Sequence, residues 1–126
     1  MENVKGTWKT TVTDDITAKT MGSGSLPVLA TPALVALMEH AACEALAGSL
    51  DEGITTVGTK MDVDHVAATP VGMEVWAEAT LVKQEGRSYS FEITAYDACG
   101  VIGTAKHERV SVKAEKFVAK AEAKKG

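Results

Sequence analysis

Hydrophobic positions fall into two regimes along the chain. From Thr31 to Ala47, in TPALVALMEHAACEALA, they run almost all the way round, and the only ionisable residues are Glu39, His40 and Glu44. At about 100° per residue, His40 and Glu44 share an edge that can face water, whereas Glu39 falls among Val35, Ala42, Cys43 and Leu46. A helix without a polar face is a buried helix. The sequence therefore predicts a central helix with one carboxylate partly withdrawn from water. Such a group needs a partner or a raised pKa, and residues of this kind are often kept for chemistry. Thr31 followed by Pro32 predicts the helix start, with the hydroxyl as N-cap, and Gly48 predicts the stop.

The second regime has period two. Thr7 to Val12 reads as a first strand. Val57 to Val66, VGTKMDVDHV, places Val57, Thr59, Met61, Val63 and His65 on one face and Lys60, Asp62 and Asp64 on the other, so His65 is expected to point at the core. Met73 to Lys83 carries Val75, Ala77, Ala79 and Leu81 on one face. Ser88 to Tyr96 turns Tyr89, Phe91, Ile93 and Ala95 inward, and Val101 to Val112 returns. Turn chemistry at Asp51–Gly53, Pro70–Gly72, Gln84–Arg87 and Asp97–Gly100 separates the strands. The Gly/Ser-rich MGSGSLP, residues 21–27, reads as a flexible loop before the helix. The lysine-rich end, residues 114–126, is helix-prone and expected to be solvated and partly frayed. One strand, one buried helix and a four-stranded antiparallel meander make an α+β fold. A sheet wrapped around one central helix is the hotdog architecture, here as a single domain over residues 1–126.

Composition narrows the function. A length of 126 residues suits one domain with a real core. A net charge of -4 argues against nucleic-acid binding through bulk electrostatics. No apolar run approaches the roughly 20 residues needed to cross a bilayer, so no membrane partner is expected. The start, MENVKGTWKT, lacks the apolar segment of an export signal. Cys43 and Cys99 form no metal-ligand spacing and are expected to be reduced core residues of a cytoplasmic protein.

Thr31, Glu39 and His65 are the candidate site. Each has a plain structural reading, as cap, satisfied carboxylate and core imidazole. Together they are the hydroxyl, carboxylate and imidazole used in acyl transfer. Asp62 and Asp64 fall opposite His65, so no metal site is expected. Gly22-Ser23-Gly24-Ser25 lacks the Gly-Lys-Ser/Thr of a phosphate loop. His107, Glu108 and Arg109 alternate faces on a strand, as a cross-strand charge pair or with Arg109 toward a ligand.

The runs TPALVALMEHAACEAL, VGTKMDVDHVAATPVGMEV and GTAKHERVSVKAEKF closely resemble the fluoroacetyl-CoA thioesterases, a family of hotdog-fold enzymes. The resemblance spans roughly Thr31 to Lys120. It implies catalytic roles for Thr31, Glu39 and His65, and places Gly58 and Arg109 beside the acyl group. It further implies an acyl-CoA substrate, no cofactor beyond the coenzyme A of that substrate, and a homodimer with sites at the interface. The family's aromatic lid is absent: TMGSGSLPVLA, residues 20–30, holds no aromatic residue. The expected activity is therefore hydrolysis of another short or small acyl-CoA. The rival readings are a non-catalytic acyl-CoA or small-ligand binding protein, a hydratase-like hotdog enzyme and an oligomeric structural protein. The phases of Asp62 and Asp64 argue against the hydratase.

Overall fold

The computed structural model describes residues 4–126; residues 1–3, part of the start read above for an export signal, lie outside the described residues. Strand β1 (Lys5–Thr11) leads through a 3-10 turn (Asp14–Ile16) and the short helix α1 (Ala18–Met21) to helix α2 (Thr31–Leu46). Strands β2 (Ile54–His65), β3 (Glu74–Glu85), β4 (Ser88–Asp97) and β5 (Gly100–Lys113) follow, and helix α3 (Ala114–Glu122) ends the fold. All five strands form one antiparallel sheet in the order β1-β3-β4-β5-β2.

The core forms where the two periodicities meet. Leu34, Leu37, Met38, Ala41, Ala42, Ala45 and Leu46 of α2 pack on Val75, Ala77, Ala79 and Leu81 of β3 and on Tyr89, Phe91, Ile93 and Ala95 of β4. These are the strand faces that the alternation predicts, and the architecture is the hotdog fold. Among the described residues no helix is long and apolar enough to cross a membrane.

Several expectations are corrected. The last four strands are not a simple meander, because β1 and β4 occupy the two edges of β3. That leaves the outer edge of β5 for β2, and the 66–73 connection crosses back to β3. The loop is anchored by a buried hydrogen bond from Thr69 Oγ1 to Asp97 Oδ2, 2.8 Å. Strand β2 also carries a bulge. Its register with β5 steps from Gly58↔Arg109 to Lys60↔Glu108, so Thr59 is an extra residue and the facing parity switches there. Thr56 and Gly58 thus share the inner face with Met61, Val63 and His65, in place of Val57 and Thr59.

The central helix is not enclosed on all sides. Pro32, Ala36, His40, Cys43 and Glu44 are exposed along one face, where the His40 ring stacks on Trp8 with centroids 3.6 Å apart. Cys43 and Cys99 are free thiols at the surface, not core residues. The end segment forms the regular helix α3, with no buried residue, where fraying was expected.

Candidate active site

Helix α2 begins at Thr31, the expected cap, and so starts one residue earlier than expected. Ala30 occupies the N-cap position and offers no side-chain bond to the helix. Thr31 stands in the first turn, and its hydroxyl turns away from capping to meet His65 Nδ1 at 2.8 Å. His65 closes β2, and its other nitrogen, Nε2, is buried without a partner among the described residues. A buried unsatisfied polar atom in a native fold calls for a role. Burial pushes the His65 pKa below the ordinary 6.5, and a backbone contact at Ala67 offsets part of that shift. The pair opens on a cleft of about 280 Å³ whose wall includes Ser23, Val28, Leu29, Val66 and Ala67.

Glu39 belongs to a second cluster. Its side chain is 39% exposed, and Oε2 accepts a hydrogen bond from Nη1 of the buried Arg109 at 3.3 Å. The guanidinium is fixed on its other sides. Nε donates to Thr56 Oγ1 at 2.9 Å and Nη2 to the Thr56 carbonyl at 3.0 Å. His107 Nε2 lies 3.2 Å from Nη1, and its Nδ1 lies 2.7 Å from the Lys60 carbonyl. With Nδ1–H donating to that carbonyl, Nε2 is left to accept from Arg109. Burial, opposed by the Lys60 contact and reinforced by the Arg109 charge, holds the His107 pKa below 6.5. The expected partner for the half-buried carboxylate is therefore Arg109.

Gly58 faces this cluster because of the bulge. A methyl group added there would lie 2.5 Å from Glu39 Oε2 and 3.2 Å from His107 Cε1. Gly58→Ala is expected to displace the Glu39 carboxylate and lower kcat/KM by about tenfold or more, since small misplacements at a reacting group cost up to about 10²-fold. Steady-state kinetics on the folded variant measures this.

The five residues nominated from sequence thus divide into two groups. Thr31 meets His65, and Glu39 meets Arg109 and Gly58, but Glu39 and His65 do not come together within one chain. Thr31 and Glu39 are eight residues apart on α2, about 12 Å along the axis. Gly58 and His65 are seven residues apart on β2, about 20 Å along the strand. Thr56 and His107, which hold Arg109, were not foreseen. The signal for His107 was its two-residue spacing from Arg109 on one strand face; Thr56 was hidden by the bulge.

Both histidines make stability pH-dependent with one sign. Their pKa values are lower folded than unfolded, so below 6.5 the unfolded chain binds more protons. Their contribution is complete above pH 6.5 and is lost as pH falls through the folded values. Thermal unfolding followed from pH 8 to pH 5 is expected to show a Tm that declines on the acid side.

A family model for fluoroacetyl-CoA-specific thioesterase matches residues 12–115. A fluoroacetyl-CoA thioesterase of Streptantibioticus cattleyicolor is 43% identical over 93 residues, which cover 74% of this chain and 67% of that protein. A mutant of fluoroacetyl-CoA FlK in complex with acetyl-CoA superposes with a TM-score of 0.92 at 34% identity, covering 100% of both chains. A Thermus thermophilus hypothetical protein, a thioesterase superfamily member, reaches 0.89 at 29% identity, covering 99% of this chain and 93% of that one.

Proposed function

The chain belongs to the fluoroacetyl-CoA-specific thioesterase family, and from that premise we propose that its reaction runs at a site shared by two copies of the chain. It is an acyl-CoA thioesterase, hydrolysing a small acyl-CoA to the free acid and coenzyme A.

The observation that carries the shared site is the separation of its parts. Strand β2 is an edge of the sheet with an unpaired side, and such edges favour pairing with another strand. Two antiparallel β2 strands related by a two-fold axis at Asp62, with Thr59 bulged out of the ladder, bring Gly58 opposite the partner subunit's His65. Isologous pairing of this kind is the commonest dimer symmetry. Glu39, Gly58 and Arg109 of one chain then face Thr31 and His65 of the other, and each dimer has two sites.

The chemistry follows from the two clusters. Arg109 holds Glu39 through Oε2 alone, which leaves Oε1 for the reaction. The carboxylate attacks the thioester carbonyl to give a transient anhydride, or it takes a proton from the water that attacks. In either case the C–S bond breaks, the thiolate leaves with a proton, and water supplies the hydroxyl of the acid. His65 carries that proton: with Nδ1–H held by Thr31, Nε2 has the free lone pair. Its lowered pKa keeps it neutral near pH 7 and ready to act as a base. No cofactor is required beyond the coenzyme A of the substrate. The enzyme works in the cytoplasm, where the surface thiols Cys43 and Cys99 stay reduced.

The acyl group is set by the cleft beside His65. No aromatic side chain lines it, so it accepts acyl groups beyond two carbons. A thiol reagent following coenzyme A release from acetyl-, fluoroacetyl-, propionyl-, butyryl-, phenylacetyl- and benzoyl-CoA tests this reading. Turnover with propionyl- or butyryl-CoA at least matching fluoroacetyl-CoA is expected. Preference for fluoroacetyl-CoA alone would refute the open cleft, and binding without release across the panel would refute the hydrolase.

A further inference from the structure

Four cations gather at one end of the sheet in a chain whose net charge is -4. Arg87, Lys113, Lys116 and Lys120 line a groove of about 330 Å³ between the end of the β2–β5 ladder and α3. Among the described residues none of the four forms an ion pair; the lysines that do are Lys9, Lys83 and Lys125. Phe117 of α3 also lines the groove, and it is 45% exposed. Clustered like charges repel unless an anion joins them, and an exposed aromatic ring beside them offers a face for a planar base.

The groove lies in line with the reacting groups. Arg109, Ser111 and Lys113 succeed one another on the inner face of β5, and Ser111 lines the groove. From Arg109 to Lys113 is about 13 Å along the strand, on the scale of an extended pantetheine arm. The groove sits beyond Gly58, at the end of β2 away from its own chain's His65.

We infer that this groove binds the nucleotide end of the coenzyme A thioester, with the three lysines and Arg87 on its diphosphate and 3′-phosphate and Phe117 stacked on the adenine. The assignment rests on the thioesterase reading, yet its test does not depend on turnover. Adenosine 3′,5′-bisphosphate titrated into the full chain by calorimetry is expected to bind, and to bind about tenfold more weakly to the Lys113→Gln/Lys116→Gln/Lys120→Gln variant. Phe117→Ala is expected to weaken the bisphosphate but leave inorganic pyrophosphate unchanged. In thiol-release assays the lysine variant raises KM for the acyl-CoA by about tenfold with kcat kept, and leaves the matching acyl-pantetheine unaffected.

Equal bisphosphate affinity in wild type and the lysine variant would overturn the assignment. So would an equal rise in KM for acyl-CoA and acyl-pantetheine. A defect confined to an acyl-carrier-protein thioester would overturn it in favour of a protein partner. A wild type that binds the bisphosphate through these lysines but releases thiol from neither thioester would refute the thioesterase reading and sustain the groove.

Discussion

Replacing Glu39 with glutamine is expected to reduce coenzyme A release by about 10²–10⁴-fold while the protein stays folded. Glutamine keeps the size of the side chain and an oxygen for Arg109, so packing changes little. It removes the negative charge that either attacks the carbonyl or activates water. It also leaves Arg109, buried and held by Thr56, without its carboxylate. The loss should appear in kcat with KM changed little, because the group acts on the reacting carbon and not on the bulk of the substrate. Release assays on both proteins, with thermal unfolding to confirm equal stability, decide the matter. A variant retaining more than about a tenth of wild-type turnover would remove Glu39 from the mechanism.

The largest expected effect on stability lies far from the chemistry, at Gly6. Strand β1 crosses α2 so closely there that an added Cβ would run into the backbone nitrogen of Ala45 and the backbone oxygen of Ala41. Neither atom is the end of a flexible side chain, so the strand or the helix must move. Overpacking typically costs about 1–3 kcal/mol and occasionally more; contact with backbone belongs at the upper end. The gain from a stiffer unfolded chain, about 0.4–1 kcal/mol, does not offset it. Gly6→Ala is expected to lower Tm by about 10 °C. Circular dichroism on heating measures this, and an unchanged Tm would show that the crossing has slack. Because α2 carries both Thr31 and Glu39, the same shift should also depress activity.

How far the sequence reveals this fold depends on what alternation encodes. It marks which face of a strand is buried, and the inner faces of β3 and β4 were legible for that reason. It does not say which strand lies alongside, so the pairing of β2 with β5 was not legible. A bulge changes parity without changing residue type. The hydrophobic pattern of β2 therefore placed Val57 and Thr59 inward, where Thr56 and Gly58 stand. The same limit applies to α2: an apolar circumference marks a buried helix, but not whether its last side is covered by its own chain. The pattern therefore misplaced Cys43.

The site residues were legible by chemical type and by family resemblance, but their grouping was not. Thr31 read as a cap because its position and hydroxyl suit one; one residue of offset frees it for His65. Glu39 read as a carboxylate short of water, and that shortage is met by Arg109, seventy residues away in sequence. Only the register of β2 against β5 brings Gly58, Arg109 and Glu39 together. The same register sets them about 20 Å from His65.

That distance makes the shared site the central claim, and subunit mixing tests it most directly. Glu39→Gln and His65→Asn proteins, each nearly inactive alone, are denatured together and refolded in equal amounts. Half the dimers are then hybrids in which one of two sites is intact, so the mixture should recover about a quarter of wild-type coenzyme A release. A mixture no more active than its parents would contradict the shared site and require Glu39 and His65 to act within a single chain.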